Sequence, residues 1–143
     1  MRLTTALAGI AALAFAQAAQ AAPVTLAPIS FSPEFQTELN DELGVREGAF
    51  LQRAVSEAVG RALSQRGATV SEGAPVTVEI SIVDADPNRP TMQQLADTPG
   101  LDAFASVSIG GAELHAVLRG ADGQLLSEVS HRRYNYSLED AIP

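Results

Sequence analysis

Apolar residues recur at two different periods along the chain, and the change of period marks out its elements. From about Arg46 to Gln65 the residues Phe50, Leu51, Ala54, Val55, Ala58, Val59, Ala62 and Leu63 follow steps of four and one. That spacing makes a single apolar stripe at the helical period. Glu47, Gln52, Arg53, Glu57, Arg61 and Gln65 fall mainly on the other faces, and Arg66-Gly67 is a good helix stop. Gly60 inside this stripe costs about 1 kcal/mol relative to Ala, which points to close approach of another backbone. Val76 to Asp84 alternates instead, with Val76, Val78, Ile80 and Ile82 facing one way and Thr77, Glu79 and Ser81 the other. This is the pattern of a half-buried strand. A turn, Ser71-Glu72-Gly73-Ala74-Pro75, precedes it.

The flanking segments are shorter. Val24 to Phe31 reads as a strand that Pro23 and Pro28 restrict to an edge position or a bulge. Ser32-Pro33-Glu34 combines a helix cap, a proline at the first helical position and an acid in the first turn. The short helix that follows runs past Leu39 and Leu43 and ends at Gly44. Phe104 to Ile109 is a further strand candidate. Ala112 to Arg119 and Gln124 to Tyr136 flank Gly120-Ala121-Asp122-Gly123, a strong hairpin signal. In the second arm the apolar phase moves from odd to even positions at Tyr134 and Tyr136, which predicts a bulge around Ser130 to Arg133. Together these elements predict one α+β domain over 22–143. Its sheet is mainly antiparallel, of about four to five strands, with the one long amphipathic helix packed on one face. Ser137-x-x-Asp140 resembles a capping box close to the last residue, Pro143.

Residues 1–21 carry a different signal. Arg2 is followed by an uncharged run rich in Ala and Leu, and Ala19-Gln20-Ala21 matches the small-x-small pattern of signal-peptide cleavage. Ala16-Gln17-Ala18 is a second register. The alternative is an uncleaved anchor, for which the run is short of the ~20 apolar residues that span a bilayer. The expected location is therefore periplasmic or secreted, with no stable membrane insertion after cleavage. With no cysteine in the chain, a lipoprotein, disulfides and thiolate chemistry are excluded. Every one of the nine basic residues is Arg, against 17 acids and a net charge of −8, so nucleic acid is not an expected partner.

Candidate chemistry is sparse. Asp84, Asp86 and Asn88 have the oxygen spacing of a calcium loop, yet Arg89 stands where its turn glycine belongs and Leu95 where its bidentate Glu belongs. The same two aspartates, about 6.5–7 Å apart on a continuing strand, fit an inverting hydrolase in spacing alone. The long stretch 84–102 calls for structure of its own. Thr91 with Gln94 makes a capping box for a short helix, and Thr98-Pro99-Gly100 makes a type II turn. Asn88 and Arg89 read either as contacts to a partner or, for Arg89, as a brace on Asp84, Asp86 or Asp97. With an even hairpin loop, His115 and His131 face opposite sides of the sheet. Arg132, Tyr134 and Tyr136 share a strand face and Arg133 adds a second charge, residue types enriched at protein interfaces.

The helix 46–65, the segments Asn88-Arg89-Pro90-Thr91, Gln94-Leu95 and Pro99-Gly100-Leu101, and Gly110-Gly111-Ala112 at the hairpin together resemble small signal-peptide-bearing envelope proteins of domain-of-unknown-function families. The resemblance implies a non-enzymatic periplasmic accessory role without cofactors. The expected function is a binding domain acting through an envelope protein partner at Asn88, Arg89, Arg132, Arg133, Tyr134 and Tyr136. A small-ligand or calcium-binding protein centred on Asp84, Asp86 and Asn88 is the alternative, and a small hydrolase comes third.

Overall fold

The computed structural model describes residues 22–139. The leader expected over 1–21 and Asp140 of the C-terminal capping pattern lie outside the described residues. The strands are β1 (Ala22–Leu26), β2 (Ser30–Phe31), β3 (Ala68–Val70), β4 (Val76–Asp86), β5 (Gly111–Arg119) and β6 (Leu125–Tyr134). The helices are α1 (Pro33–Glu38), α2 (Val45–Gln65) and α3 (Met92–Asp97), with a π-helical turn at Leu39–Leu43 between α1 and α2.

The domain is α+β, as the pattern predicts, but its sheet is mixed and has six strands rather than four or five in mainly antiparallel order. The spatial order is β3-β1-β4-β5-β6, and β2 also pairs with β4. β1 runs parallel to both β3 and β4, β2 runs parallel to β4, and β4-β5-β6 are antiparallel. The reason is α2. It returns the chain to the end of the sheet where β1 began, so β3 starts level with Ala22, β4 starts two residues further along opposite Val24, and both run in the direction of β1.

Three strand expectations are corrected. First, the segment predicted as one strand, at an edge or with a bulge, is two strands with a bulge between them, and β1 is internal rather than at the edge. The missing N–H of Pro23 is tolerated there because pairing with β4 begins only at Val24, opposite Val76. The chain bulges at Pro28: Leu26 pairs with Val78, whereas Ser30 pairs with Ser81, leaving one extra residue on the first segment. Second, residues 104–109 form no strand and belong to a loop. Third, the hairpin bulge lies at Leu126, between the pairs Leu118–Ser127 and Arg119–Leu125, while pairing through 130–134 is regular. Tyr134 thus continues the even-numbered, outer face of the sheet.

The core gathers at β4. Ile82 is fully buried, and Val78, Ile80 and Ala85 are buried beside it. Val83 is the extra residue of a second bulge, since Ile82 pairs with Leu114 and Asp84 with Glu113. This bulge is what lets Ile82 and Ala85, three apart, share the inner face. Phe35, Leu39 and Leu43 come in steps of four and are all buried against this face. In an α-helix a step of four overruns the turn, and the wider π turn takes up the overrun. Ser32 starts this segment twice over. Its hydroxyl accepts from the Phe35 N–H at 3.2 Å and donates to the Val83 carbonyl at 3.2 Å, which pins α1 to the β4 bulge.

On α2 the packed positions are Leu51, Val55, Val59 and Leu63, whereas Phe50 is more than half exposed. No backbone approaches Gly60, and the tight glycine of α2 is Gly48, which faces side chains. A side chain at Gly48 would stand 2.6 Å from the Leu39 side chain, and nothing lies within 4 Å of Gly60.

Candidate functional site

The long segment after β4 is held together by itself. The Thr91 side chain accepts from the Gln94 N–H while Gln94 Oε1 accepts from the Thr91 N–H, the capping box that starts α3. Gly100 takes a positive φ of 91° in the turn that follows. Asn88 accepts the Ser108 N–H through its backbone carbonyl at 3.1 Å, and the Ser108 hydroxyl donates to the Pro87 carbonyl at 2.7 Å. Arg89 donates through Nη1 to the Phe104 carbonyl. It therefore braces the loop, although onto a backbone oxygen rather than an aspartate. Asp102 caps the far turn by accepting the Phe104 and Ala105 N–H groups, and these bonds hold its carboxyl below the usual range.

The Arg/Tyr strand divides between the two sheet faces. Arg132 and Tyr134 lie on the outer face, and Arg133 lies on the inner one, opposite Ala112. Arg132 sits over the Tyr134 ring at 4.9 Å and approaches Glu113 at 3.8 Å. The Tyr134 hydroxyl donates to the Asp84 carboxylate. Burial and then this bond push the phenol's pKa above its ordinary range. Arg119 to Glu79 at 3.0 Å and His115 to Glu128 at 3.9 Å continue the same polar face. His131 pairs with Leu114 and so faces the other way from His115. Tyr136 lies beyond β6 and is 98% exposed.

Where β4, the loop and the hairpin base meet, they frame a cleft of about 340 Å³. Leu43, Phe50 and Leu51 form one wall, Asp86, Pro87 and Asn88 another, and Gly110, Gly111, Ala112 and Asn135 the floor. The two glycines are required by contact. A Cβ at Gly110 would stand 3.0 Å from the Asn88 nitrogen, and one at Gly111 would stand 2.5 Å from the Arg133 carbonyl oxygen. The sequence marks this pair as a turn or bulge; its role is to let the loop and the end of β6 close on β5.

Glu47 also lines the cleft, and burial raises its carboxyl above the ordinary range. A second hollow, of about 440 Å³, lies across Asp86 and Pro87 and includes Glu38 and Glu42. Burial, then the neighbouring carboxylates Asp84, Glu42 and Asp86, raise Glu38. Burial followed by Asp84 raises Asp86. The cleft therefore offers an apolar wall, side-chain amides and carboxylates that favour a proton or a cationic donor.

Of the sequence candidates, Asp86 and Asn88 reach this cleft. Arg89 is engaged within the loop, and Arg132 and Tyr134 are engaged on the outer sheet face. Asp84 is spent on Tyr134. Among the described residues, no group of three or more His, Cys, Asp or Glu is placed to hold a metal ion, and no helix is long and apolar enough to cross a membrane. Glu47, Phe50 and Asn135 were not legible as site residues. The one available signal was Phe50, a large side chain at the margin of the α2 stripe. Comparison with family models, characterised proteins and solved structures finds no match to the chain.

Proposed function

We propose that the protein is a non-enzymatic, exported accessory domain that acts by binding a protein partner in the cell envelope. The cleft at the end of β4 is its contact. The observation that supports this reading is Phe50, 53% exposed and lining a cleft together with Leu43, Leu51, the carboxylates Glu47 and Asp86, and the amides Asn88 and Asn135. An exposed aromatic beside amide groups is the residue combination of interface anchors. The leader pattern over 1–21 supports the location. Asn88 is retained from the sequence candidates as a contact, together with exposed Tyr136 near the floor residue Asn135. Arg89 serves by holding the loop that presents Asn88.

The test is affinity capture from an envelope extract, with the parent beside Phe50→Ala and Tyr136→Ala. Both side chains are more than half exposed, so both variants fold. A partner retained by the parent and reduced at least ~10-fold by Phe50→Ala, the loss of an interface anchor, is the expected result. A parent whose captured proteins are all retained by both variants refutes the reading.

A further inference from the structure

The two sheet edges differ in length, β3 having three residues and β6 ten. β6 ends the sheet, and every residue from Leu125 to Arg133 is exposed. One side of this long strand has no pairing partner among the described residues, a template for another strand. Its side chains indicate which strand fits. Glu128 and Arg132 lie on the outer face, two residues either side of Ser130.

We infer that β6 pairs antiparallel with β6 of a second copy, about a two-fold axis at Ser130. Antiparallel neighbours on one face are directly opposite each other. With the axis at Ser130, Glu128 of each copy faces Arg132 of the other, so two ion pairs form on the outer face. On the inner face Val129 meets His131, and Ser127 meets Arg133. The small Ser130 side chains meet at the axis. Moving the axis by one residue sets Glu128 opposite Ser130 or Tyr134 and loses both pairs, so charge selects the register.

Both side chains are exposed enough to exchange partners, although Arg132 also lies over the Tyr134 ring at 4.9 Å. Their contacts within the chain are long, 3.9 Å from Glu128 to His115 and 3.8 Å from Arg132 to Glu113, and they are 57% and 70% exposed. An edge that carried only one sign of charge would repel its own copy; this one is complementary to itself reversed. The contact is isologous and closes at two copies.

Sedimentation equilibrium on the protein expressed from its whole coding sequence, from micromolar to millimolar concentration, tests the inference. The parent is expected to dimerise. Glu128→Arg and Arg132→Glu each place two like-charged pairs in the contact and raise the dimer dissociation constant about tenfold or more. An equimolar mixture of the two single variants restores both attractions across a heterodimer and associates like the parent, which loss of fold in either variant would not produce. A parent that stays monomeric at millimolar concentration overturns the inference. So does a dimer indifferent to either reversal, or a mixture no tighter than the variants alone.

Discussion

The sheet is covered at one end and open at the other. Around β4 the inner face carries Ile82, Ile80 and Val78 under Phe35, Leu39 and Leu43, all nearly inaccessible. Two strands away, Val129 lies on the same face and is 59% exposed. β4 alternates apolar and polar residues, whereas the inner positions of β6 are Ser127, Val129, His131 and Arg133, only one of them apolar. The helices follow this difference. The apolar stripe of α2 and the α1 segment lie over the β1–β4 side, and among the described residues no element covers β6. The open half is attached through the β5 residues Ala112, Leu114, Ala116 and Leu118, which pack on the core, and carries exposed ion pairs on its outer face, from Glu79–Arg119 to Arg132–Glu113. Hydrophobic burial supports one half directly, and β6 is held by backbone pairing to β5.

Truncation gives the largest separation between the halves. Leu39→Ala should cost ~3–5 kcal/mol in urea unfolding, because the cavity it leaves is enclosed. Val129→Ala, at an exposed edge, should stay within ~0.5 kcal/mol. Comparable losses at the two sites would mean that β6 is covered in solution. Glycine substitutions sharpen the contrast at intermediate size. Gly111→Ala drives a methyl into the backbone of β6 and should destabilise by ~1–3 kcal/mol. Gly60→Ala meets nothing within 4 Å and should stabilise by ~1 kcal/mol through helix propensity. A neutral Gly111→Ala would show that the hairpin base yields.

The smallest effect is with pH. Glu38, Glu47 and Asp86 have raised carboxyl pKa values in the fold. Between those values and the ordinary carboxylate range the folded chain binds protons that the unfolded chain does not. Stability from these groups therefore increases as pH falls from neutral towards that range, and is lost as pH rises through the folded values. Asp102 acts in the opposite sense, losing its contribution only below the ordinary range. Tm should rise on mild acidification. The rise should shrink in a Glu38→Gln, Asp86→Asn double variant, which should also melt higher than the parent at pH 7. A parent Tm that falls steadily from neutral pH would contradict the assignment of strain to this carboxylate group.

What could be read before folding was local. The α2 stripe, the Ser32 and Thr91 caps, the stop at Gly44, the alternation of β4 and the Gly120–Gly123 hairpin turn each depend on residues within one or two turns of the chain. Sheet direction does not. Whether β1 and β4 run parallel depends on where α2 delivers the chain, and β3 is too short for its own sequence to declare. The bulges at Val83 and Leu126 are likewise set by what the strands pair with.

The candidate site follows the same division. Asp86 and Asn88 were visible as polar residues in a long loop. Asn135 joins them because the glycine pair closes the loop and the β6 end on β5, and Phe50 because α2 packs alongside. Arg89, read in the sequence as either a partner contact or a brace on an aspartate, braces the Phe104 carbonyl, and Tyr134 found its partner at Asp84, 15 and 50 residues away. By itself the sequence determined α2, the caps of α1 and α3, β4, the hairpin turn and the acidic charge, because those rest on nearest neighbours and composition. Tertiary structure alone decided which strand stayed uncovered and which polar groups remained available, because both depend on contacts between residues far apart in the chain.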